Sequence, residues 1–328
     1  MRVTMRPRVF ITQPVADRAI QKLAEKAEVA WNRDGSRVLP KADLVLAVKE
    51  TEYLFCLLHD VVDAEVIAAA PRLRMIASMG TGVSIDLDAA TKRKIPVTTG
   101  PGLVTEATAD LAWALVLAVT RRVVEGDRLV RAGGFPGSQS NALAGRYVFG
   151  KTLGLIGAGR VGQAVARRAA GFGMTVLYYD PRRLSPAEEA RLGLTWAAME
   201  QVLAAADIVS LHALYTAETF HLIGARELAR MKPTAYLVNT SRGPVVDEAA
   251  LVEALNEGRL AGAALDVHEH EPRVNPELIA MAGVVLTPHL GSAVGELREQ
   301  MALFVADNIL AVIEGRRPRQ LANPSVYD

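Results

Sequence analysis

Short apolar runs alternate with amphipathic stretches along most of the chain, in two successive series. In the first series, apolar runs predict strands at residues 9–11, 53–58, 73–77 and 95–98, and amphipathic stretches predict helices at 17–26, 63–70 and 87–94. Strands that alternate with helices in this way are typical of a parallel sheet covered by helices on both faces.

The second series begins at Lys151 and predicts a larger sheet. Its six apolar runs lie at residues 152–156, 175–179, 208–211, 235–238, 262–267 and 284–286. Six strands with helices between them are the number found in a complete doubly wound nucleotide-binding sheet.

The segment between the two series has a different pattern. Residues 105–131 contain no proline and one interior glycine, Gly126, and predict one unusually long helix or two in succession. Apolar side chains occupy more than one face of this helix, which is more than a single core requires. We therefore expect a homodimer with this helix in the interface. Residues 133–150, rich in Gly, Ser and Asn, follow as a predicted loop.

The order of these elements predicts two doubly wound parallel-sheet α/β domains. A Rossmann nucleotide-binding domain over residues 105–292 is inserted in a flavodoxin-like domain made of residues 1–104 and 293–328. A final amphipathic helix, predicted to begin at 293, then returns to pack on the N-terminal part of the chain.

Composition narrows the partners and the location. Of 328 residues, 50% are hydrophobic and 22% are charged, which is typical of a globular protein. The formal net charge is +1, so no overall field attracts nucleic acid or an anionic membrane, and we expect neither as a partner. No signal peptide or bilayer-length apolar stretch is visible, so a cytoplasmic location is expected. The single cysteine, Cys56, lies in an apolar run and is interpreted as a buried thiol.

A glycine pattern at the start of the second series indicates a dinucleotide cofactor. Gly157, Gly159 and Gly162 form G-x-G-x-x-G directly after a predicted strand and at the start of a predicted helix. Such glycines allow a tight turn, close approach of the backbone to the pyrophosphate, and close packing of the helix on its strand. The alternative is a glycine-rich turn in an α/β protein that binds no dinucleotide.

The end of the next predicted strand indicates which dinucleotide is bound. Asp180 follows the glycine pattern in the chain. The spacing is close to the roughly 20 residues at which an acid forms hydrogen bonds to the ribose hydroxyls of the cofactor. The Asp180 carboxylate would repel the 2′-phosphate of NADP, so we expect NAD. Arg182 and Arg183 follow at once and would attract a phosphate, which leaves NADP as the less favoured cofactor.

Three polar residues follow predicted strands of the second series, where doubly wound sheets bind ligands: Arg242, Glu271 and His289. A planar guanidinium can hold a carboxylate and a keto oxygen through two hydrogen bonds. An imidazole can give a proton to a developing alkoxide, and a neighbouring carboxylate orients the ring and favours its protonated form. The set therefore predicts reduction of a small 2-keto acid. Taken singly, each residue also fits an ordinary surface or loop position.

The segment around Glu271 permits another interpretation. His268, Glu269, His270 and Glu271 are residue types that bind metals, and residues two apart in an extended segment share a face. The high charge of the segment favours a solvated loop, so we expect no metal. His212 ends a predicted strand on the cofactor side of the sheet.

Four motifs make the chain resemble the D-isomer-specific 2-hydroxyacid dehydrogenases along nearly its whole length. The motifs are residues 157–162, the stretch from Met231-Lys232-Pro233 to Glu248, Ala264-Leu265-Asp266-Val267 with Glu271-Pro272, and Thr287-Pro288-His289. Residues 88–91 and 106–112 look most similar to the glyoxylate/hydroxypyruvate reductase branch.

The resemblance implies roles for individual residues. Arg242 would bind the substrate, His289 would act as general acid and base, and Glu271 would be its partner. The resemblance also implies that the discontinuous domain is the catalytic domain, with substrate contacts at Gly80, Thr81 and Gly82. Cofactor contacts are expected at Thr81, Gly157, Gly159, Arg160, Val161, Gly162, Asp180, His212, Thr240, Ser241, Asp266 and Ser292.

The chain departs from the family pattern in two places. The substrate loop at 82–86 is one residue short, and residues 135–141 lack the tryptophans frequent in the reductase branch. Formate dehydrogenases carry glutamine at the position of Glu271, and phosphonate dehydrogenases carry lysine at the position of Thr81. Both related enzymes are therefore disfavoured. A 3-phosphoglycerate dehydrogenase-like enzyme and an NAD-sensing corepressor-type binding protein stay open as alternatives.

Overall fold

The computed structural model describes residues 6–80, 84–100 and 103–328. The chain divides into two compact units, one made of residues up to 103 together with 294–328, and the other of residues 104–293. Each unit contains one sheet in which every strand pair is parallel.

The first unit has five strands in the order β2-β1-β3-β4-β5, which is the flavodoxin-like order. The strands are β1 (Arg8–Ile11), β2 (Glu28–Trp31), β3 (Tyr53–Cys56), β4 (Met75–Ser78) and β5 (Val97–Thr98). The helices are α1 (Asp17–Ala24), α2 (Lys41–Ala47), α3 (Ala64–Ala69), α4 (Leu87–Lys92) and the C-terminal α13 (Gly295–Ile313).

Helices cover both faces of this sheet. On one face α1 and α13 pack over β1, β3 and β4, and on the other α2, α3 and α4 enclose a second apolar cluster. Ion pairs such as Arg18–Glu299, at 2.8 Å, link α1 to α13 on the exposed side. The final helix thus packs on the N-terminal part of the chain, as predicted. Cys56 is fully buried, and burial raises the pKa of its thiol to about 12.

The second unit has seven strands in the order β12-β11-β10-β9-β6-β7-β8. They are β6 (Thr152–Ile156), β7 (Thr175–Tyr179), β8 (Leu194–Trp196), β9 (Ile208–Leu211), β10 (Tyr236–Asn239), β11 (Gly262–Leu265) and β12 (Val284–Leu286). The helices are α5 (Thr105–Thr120), α6 (Val123–Arg131), α7 (Arg160–Ala169), α8 (Pro186–Leu192), α9 (Met199–Ala205), α10 (Ala225–Leu228), α11 (Glu248–Asn256) and α12 (Pro276–Ala280). The chain moves outward from β6 in both directions, so the order reverses between β6 and β9, as in Rossmann sheets.

Two corrections to the predicted elements concern sheet edges. The second sheet has seven strands and not six, because β8 was not predicted, and β2 was missed in the first sheet. Both are edge strands with partly exposed side chains. β8 has a threonine between its two apolar residues, whereas β2 contains the short apolar run 29–31, which the prediction passed over. The observed ends of the predicted strands either agree with the prediction or differ from it by one or two residues.

The segment 105–131 forms two helices in succession, separated by Arg122 in a left-handed conformation, φ 54°. Most apolar side chains of α5 are buried in the core of their own unit, and Leu111 and Leu117 pack against that core partly buried. Trp113, for example, stacks on Phe172 with ring centroids 4.6 Å apart and donates from Nε1 to the Val165 carbonyl at 3.0 Å. The apolar side chains of this helix thus pack mostly within their own unit, and its place in a homodimer interface stays a prediction.

Residues 132–150 form a long, largely exposed loop. Within the described parts of the chain, no helix is both long enough and apolar enough to cross a membrane.

Candidate active site

The glycine turn lies between β6 and α7 and requires its glycines. Gly157 adopts φ 100°, and a Cβ there would lie 2.6 Å from the backbone nitrogen of Ala213. A Cβ on Gly162 would lie 2.2 Å from the Gly157 carbonyl oxygen. Gly159 is the N-cap of α7 and has no side chain to accept the first N–H groups of the helix. The turn therefore presents these donors to an anion, as a pyrophosphate site requires.

Asp180 lies just after β7 and is held against the glycine turn. One carboxylate oxygen accepts from the backbone N–H of Ala158 at 2.9 Å, and the other accepts from Arg182 N–H at 2.9 Å. Each carboxylate oxygen has a further lone pair for a hydroxyl donor. The acid is thus fixed beside the turn in a position suited to a ribose.

Two polar atoms that follow β9 and β10 are buried without a hydrogen-bond partner among the described residues: His212 Nδ1 and Thr240 Oγ1. The other nitrogen of His212 lies 2.9 Å from Ser210 Oγ, and burial lowers the pKa of the ring to about 4, which keeps it neutral at pH 7. Buried polar atoms usually have partners, so these two indicate the place of a bound polar group. Together with the turn and Asp180, they fit a dinucleotide.

The predicted catalytic residues follow three neighbouring strands. Arg242 follows β10, Glu271 follows β11 and His289 follows β12, and these strands are adjacent in the sheet. Glu271 Oε2 lies 2.9 Å from His289 Nδ1. Since Nδ1 faces the carboxylate, Nε2 is the ring atom that can exchange a proton with a substrate.

The histidine loop, residues 287–291, carries His289 and is held in place by Asp266. The Asp266 side chain is buried, with the residue 1% exposed. Its carboxylate accepts from Thr287 Oγ1 at 2.7 Å and from the N–H groups of Leu290 and Gly291 at 2.7 and 2.9 Å. Its carbonyl accepts from His289 N–H at 2.8 Å. These bonds hold His289 at the unusual φ of 56°. Asp266 is thus an acid that shapes the histidine loop, and the cofactor contact predicted for it stays a prediction.

Arg242 is half-buried, and its Nη1 donates to the Ser241 carbonyl at 2.6 Å. Burial lowers the pKa of the guanidinium, and the Glu271 carboxylate opposes that shift, so the group stays charged. Asn239 shapes the turn, since its side chain accepts from Ser241 N–H at 3.0 Å and donates to the Arg242 carbonyl at 3.0 Å. No local sequence pattern predicts this role for Asn239.

A cavity of about 360 Å³ opens beside Arg242 and is lined also by residues 268–271, Tyr215 and Arg273. It is large enough for a small acid. Among the remaining predicted contacts, Arg160 and Val161 lie in the first turn of α7, and Ser292 follows the histidine loop. Gly80 lies in the first unit after β4, and Thr81 and Gly82 lie outside the described residues.

The metal interpretation of His268 and His270 is not supported by their positions. His268 is 5% exposed, whereas His270 is exposed and pairs with Arg273 in a turn. The segment is not an extended strand there, so the two rings do not share a face.

The family model of the D-isomer specific 2-hydroxyacid dehydrogenases that describes their NAD binding domain matches residues 113–291 of this chain. The chain belongs to this family, which confirms the resemblance and the fold class predicted from the sequence. It is thus an enzyme that acts on a CH–OH group with NAD or NADP.

Particular relatives narrow the comparison. A glyoxylate reductase of Thermococcus litoralis is 46% identical over 98% of both chains. The solved TT0316 protein of Thermus thermophilus is 43% identical, with a TM-score of 0.87 over 96% of this chain and 99% of that one. An NADPH-dependent glyoxylate/hydroxypyruvate reductase of Sinorhizobium meliloti, solved with NADP and malonate, is 30% identical, with a TM-score of 0.82 over 97% of this chain and 98% of that one.

Proposed function

We propose that the protein is a glyoxylate reductase that also accepts hydroxypyruvate and uses NADH. The observation that carries the proposal is the 2.9 Å bond between Glu271 and His289, with Arg242 on the neighbouring strand end, in the same unit as the dinucleotide turn. The relatives named as glyoxylate reductases support the choice of substrate.

The proposed mechanism assigns one task to each residue. When bound, NADH supplies the hydride. The Arg242 guanidinium holds the substrate carboxylate through paired hydrogen bonds. The His289 ring, protonated on both nitrogens, gives the Nε2 proton to the keto oxygen as it becomes an alkoxide. Glu271 stabilises the imidazolium through Nδ1 and orients the ring before and after the transfer.

The surroundings of Asp180 support NADH over NADPH. Of the two arginines that would attract a 2′-phosphate, Arg183 is engaged elsewhere, since its Nε and Nη2 donate to Glu189 at 2.8 and 2.9 Å and its guanidinium lies over the Trp196 ring. Arg182 is exposed and can still approach a phosphate, so NADP stays the less favoured cofactor. The NADPH-dependent relative from Sinorhizobium meliloti is an enzyme of the same fold that was solved with NADP.

Other expectations remain proposals of the same kind. We propose that the first unit contributes substrate contacts through Gly80, Thr81 and Gly82, and that residues 105–292 bind the cofactor. A homodimer, a cytoplasmic location and the lack of a nucleic-acid partner also stay predictions.

A panel of 2-keto acids tests the proposal. We expect glyoxylate and then hydroxypyruvate to show the highest kcat/KM for NADH oxidation, ahead of pyruvate and phosphohydroxypyruvate. His289→Ala serves as the background control, because it removes the proposed acid and leaves the fold. A preference for phosphohydroxypyruvate would favour the phosphoglycerate-type alternative. NADH binding without turnover of any keto acid would favour a binding protein and contradict the proposal.

A further inference from the structure

The ring of His268 is buried between two loops of the candidate active site. It is 5% exposed, and its Nε2 lies 3.1 Å from the carbonyl oxygen of Thr287. A carbonyl oxygen only accepts hydrogen bonds, so Nε2 carries the hydrogen and the ring donates. Thr287 lies two residues before His289, so the ring contacts the loop that carries the proposed acid.

The backbone of the same residue contacts the other member of the pair. The N–H of His268 donates to Glu271 Oε1 at 3.0 Å, while Oε2 of that carboxylate meets His289 Nδ1 at 2.9 Å. His268 therefore contacts the Glu271 carboxylate through its backbone and the His289 loop through its ring.

We propose that His268 is a positioning residue for proton transfer. Its ring ties the histidine loop to the segment 268–271, and so keeps the Glu271 carboxylate and the His289 ring at hydrogen-bond distance. The inference rests on the proposed function, in which this pair delivers the proton.

The neighbouring contacts explain why the hydrogen bond from the His268 ring to the Thr287 carbonyl matters. The segment 268–271 is anchored on its far side by two reciprocal bonds, Glu269 N–H to Glu248 Oε1 at 2.9 Å and Glu248 N–H to Glu269 Oε2 at 3.1 Å. The histidine loop is held separately by Asp266. The His268 ring is a direct side-chain link from one anchored segment to the other.

The second nitrogen of the ring argues against a purely structural role. Nδ1 is buried and has no hydrogen-bond partner among the described residues. A buried nitrogen without a partner costs stability, so an apolar ring of similar shape would serve a purely structural position as well or better. The donor at Nε2 is the feature that a histidine adds here.

His268→Phe tests the proposal, because it retains a ring and removes the donor. We expect kcat for keto-acid reduction to fall about tenfold, since a small misplacement of catalytic groups has effects of this order or larger. KM for the keto acid should stay within about twofold, since Arg242 is untouched. The fall of the reduction rate with rising pH should begin at lower pH, because the carboxylate no longer supports the imidazolium. His268→Gln, whose amide can donate to Thr287, should recover most of the loss.

Two further measurements keep the result interpretable. Val202→Ala opens a cavity beneath α9, away from the segment 268–271, and controls for lost thermal stability; its kcat should not change. An NMR titration of the histidine ring protons follows the Glu271–His289 pair without turnover, so it separates failure of this inference from failure of the proposed reaction. The inference is overturned if His268→Phe keeps the wild-type kcat and pH profile. It is equally overturned if His268→Gln is no better than His268→Phe, or if His268→Phe leaves the NMR titration unchanged.

Discussion

At the scale of single residues, the Glu271–His289 pair explains why a histidine in this protein can serve as an acid. The carboxylate lies 2.9 Å from Nδ1, where it can accept a hydrogen bond from the ring and hold Nε2 free to face a substrate oxygen. Reduction needs the protonated ring and oxidation needs the neutral one. The two directions should therefore respond oppositely to pH.

Glu271→Gln tests this role by removing the charge and keeping the shape. The fall of the reduction rate with rising pH should move to lower pH, because the imidazolium loses its partner, and activity should not be abolished.

His289→Ala should lower kcat by roughly 10²–10⁴-fold, the usual contribution of proton transfer. Steady-state kinetics across pH check both variants. A Glu271→Gln enzyme with the wild-type pH profile would mean that the pair is not the acid system.

Asp180 should decide the choice of cofactor. Asp180→Ala removes the acid that bonds the ribose and repels a 2′-phosphate, so KM for NADH should rise and the preference for NADH over NADPH should narrow. The carboxylate also accepts from Ala158 N–H, so thermal unfolding of the variant should be measured alongside. Arg182→Ala is the matched control, and it should lower the residual activity with NADPH more than that with NADH. A wild-type preference for NADPH in kcat/KM would contradict the assignment.

At the scale of elements, the dinucleotide turn depends on close approach between the start of α7 and the end of β6. Gly162→Ala would place a Cβ 2.2 Å from the Gly157 carbonyl oxygen, which is backbone and cannot move aside cheaply. We expect a loss of about 1–3 kcal/mol in the free energy of unfolding, together with weaker NADH binding.

Thermal unfolding and a fluorescence titration with NADH measure these effects. Gly171→Ala is the control in the same unit, since a Cβ there meets no described atom within 4 Å. Equal unfolding temperatures for the two variants would show that the turn tolerates a side chain.

At the scale of the whole molecule, exposed apolar side chains support the proposed homodimer, although α5 does not. They lie instead on α6 and in the loop 132–150, where Val123, Val130, Phe135, Tyr147 and Phe149 are between 56% and 80% exposed. A long exposed loop that carries large apolar side chains favours an interface with another molecule.

Light scattering at micromolar concentration should give a mass twice the 35.2 kDa of one chain. Val130→Glu together with Phe135→Glu should shift the protein towards monomer, because burying the new charges is unfavourable. Ile279→Glu, at a similarly exposed position on α12, should leave the mass unchanged. A wild-type monomer would refute the homodimer.

Local pattern alone was sufficient for the buried elements and for the residue types of the site. The bounds of β6, β7, β9 and β12 agree with the sequence prediction, because buried strands read as apolar runs whatever surrounds them. The glycine turn was also predictable, because its spacing between a strand and a helix reflects steric needs within one short segment.

Tertiary structure decided everything that depends on which segments become neighbours. Edge strands such as β8 exist only because another strand is there to pair with, so a three-residue stretch with one exposed threonine gave no signal. The 2.9 Å contact between Glu271 and His289, the use of Asp266 to hold the histidine loop, and the burial of His268 all join residues separated along the chain. Hydrogen-bond partners at that separation are chosen by the order of strands in the sheet, which no local pattern records.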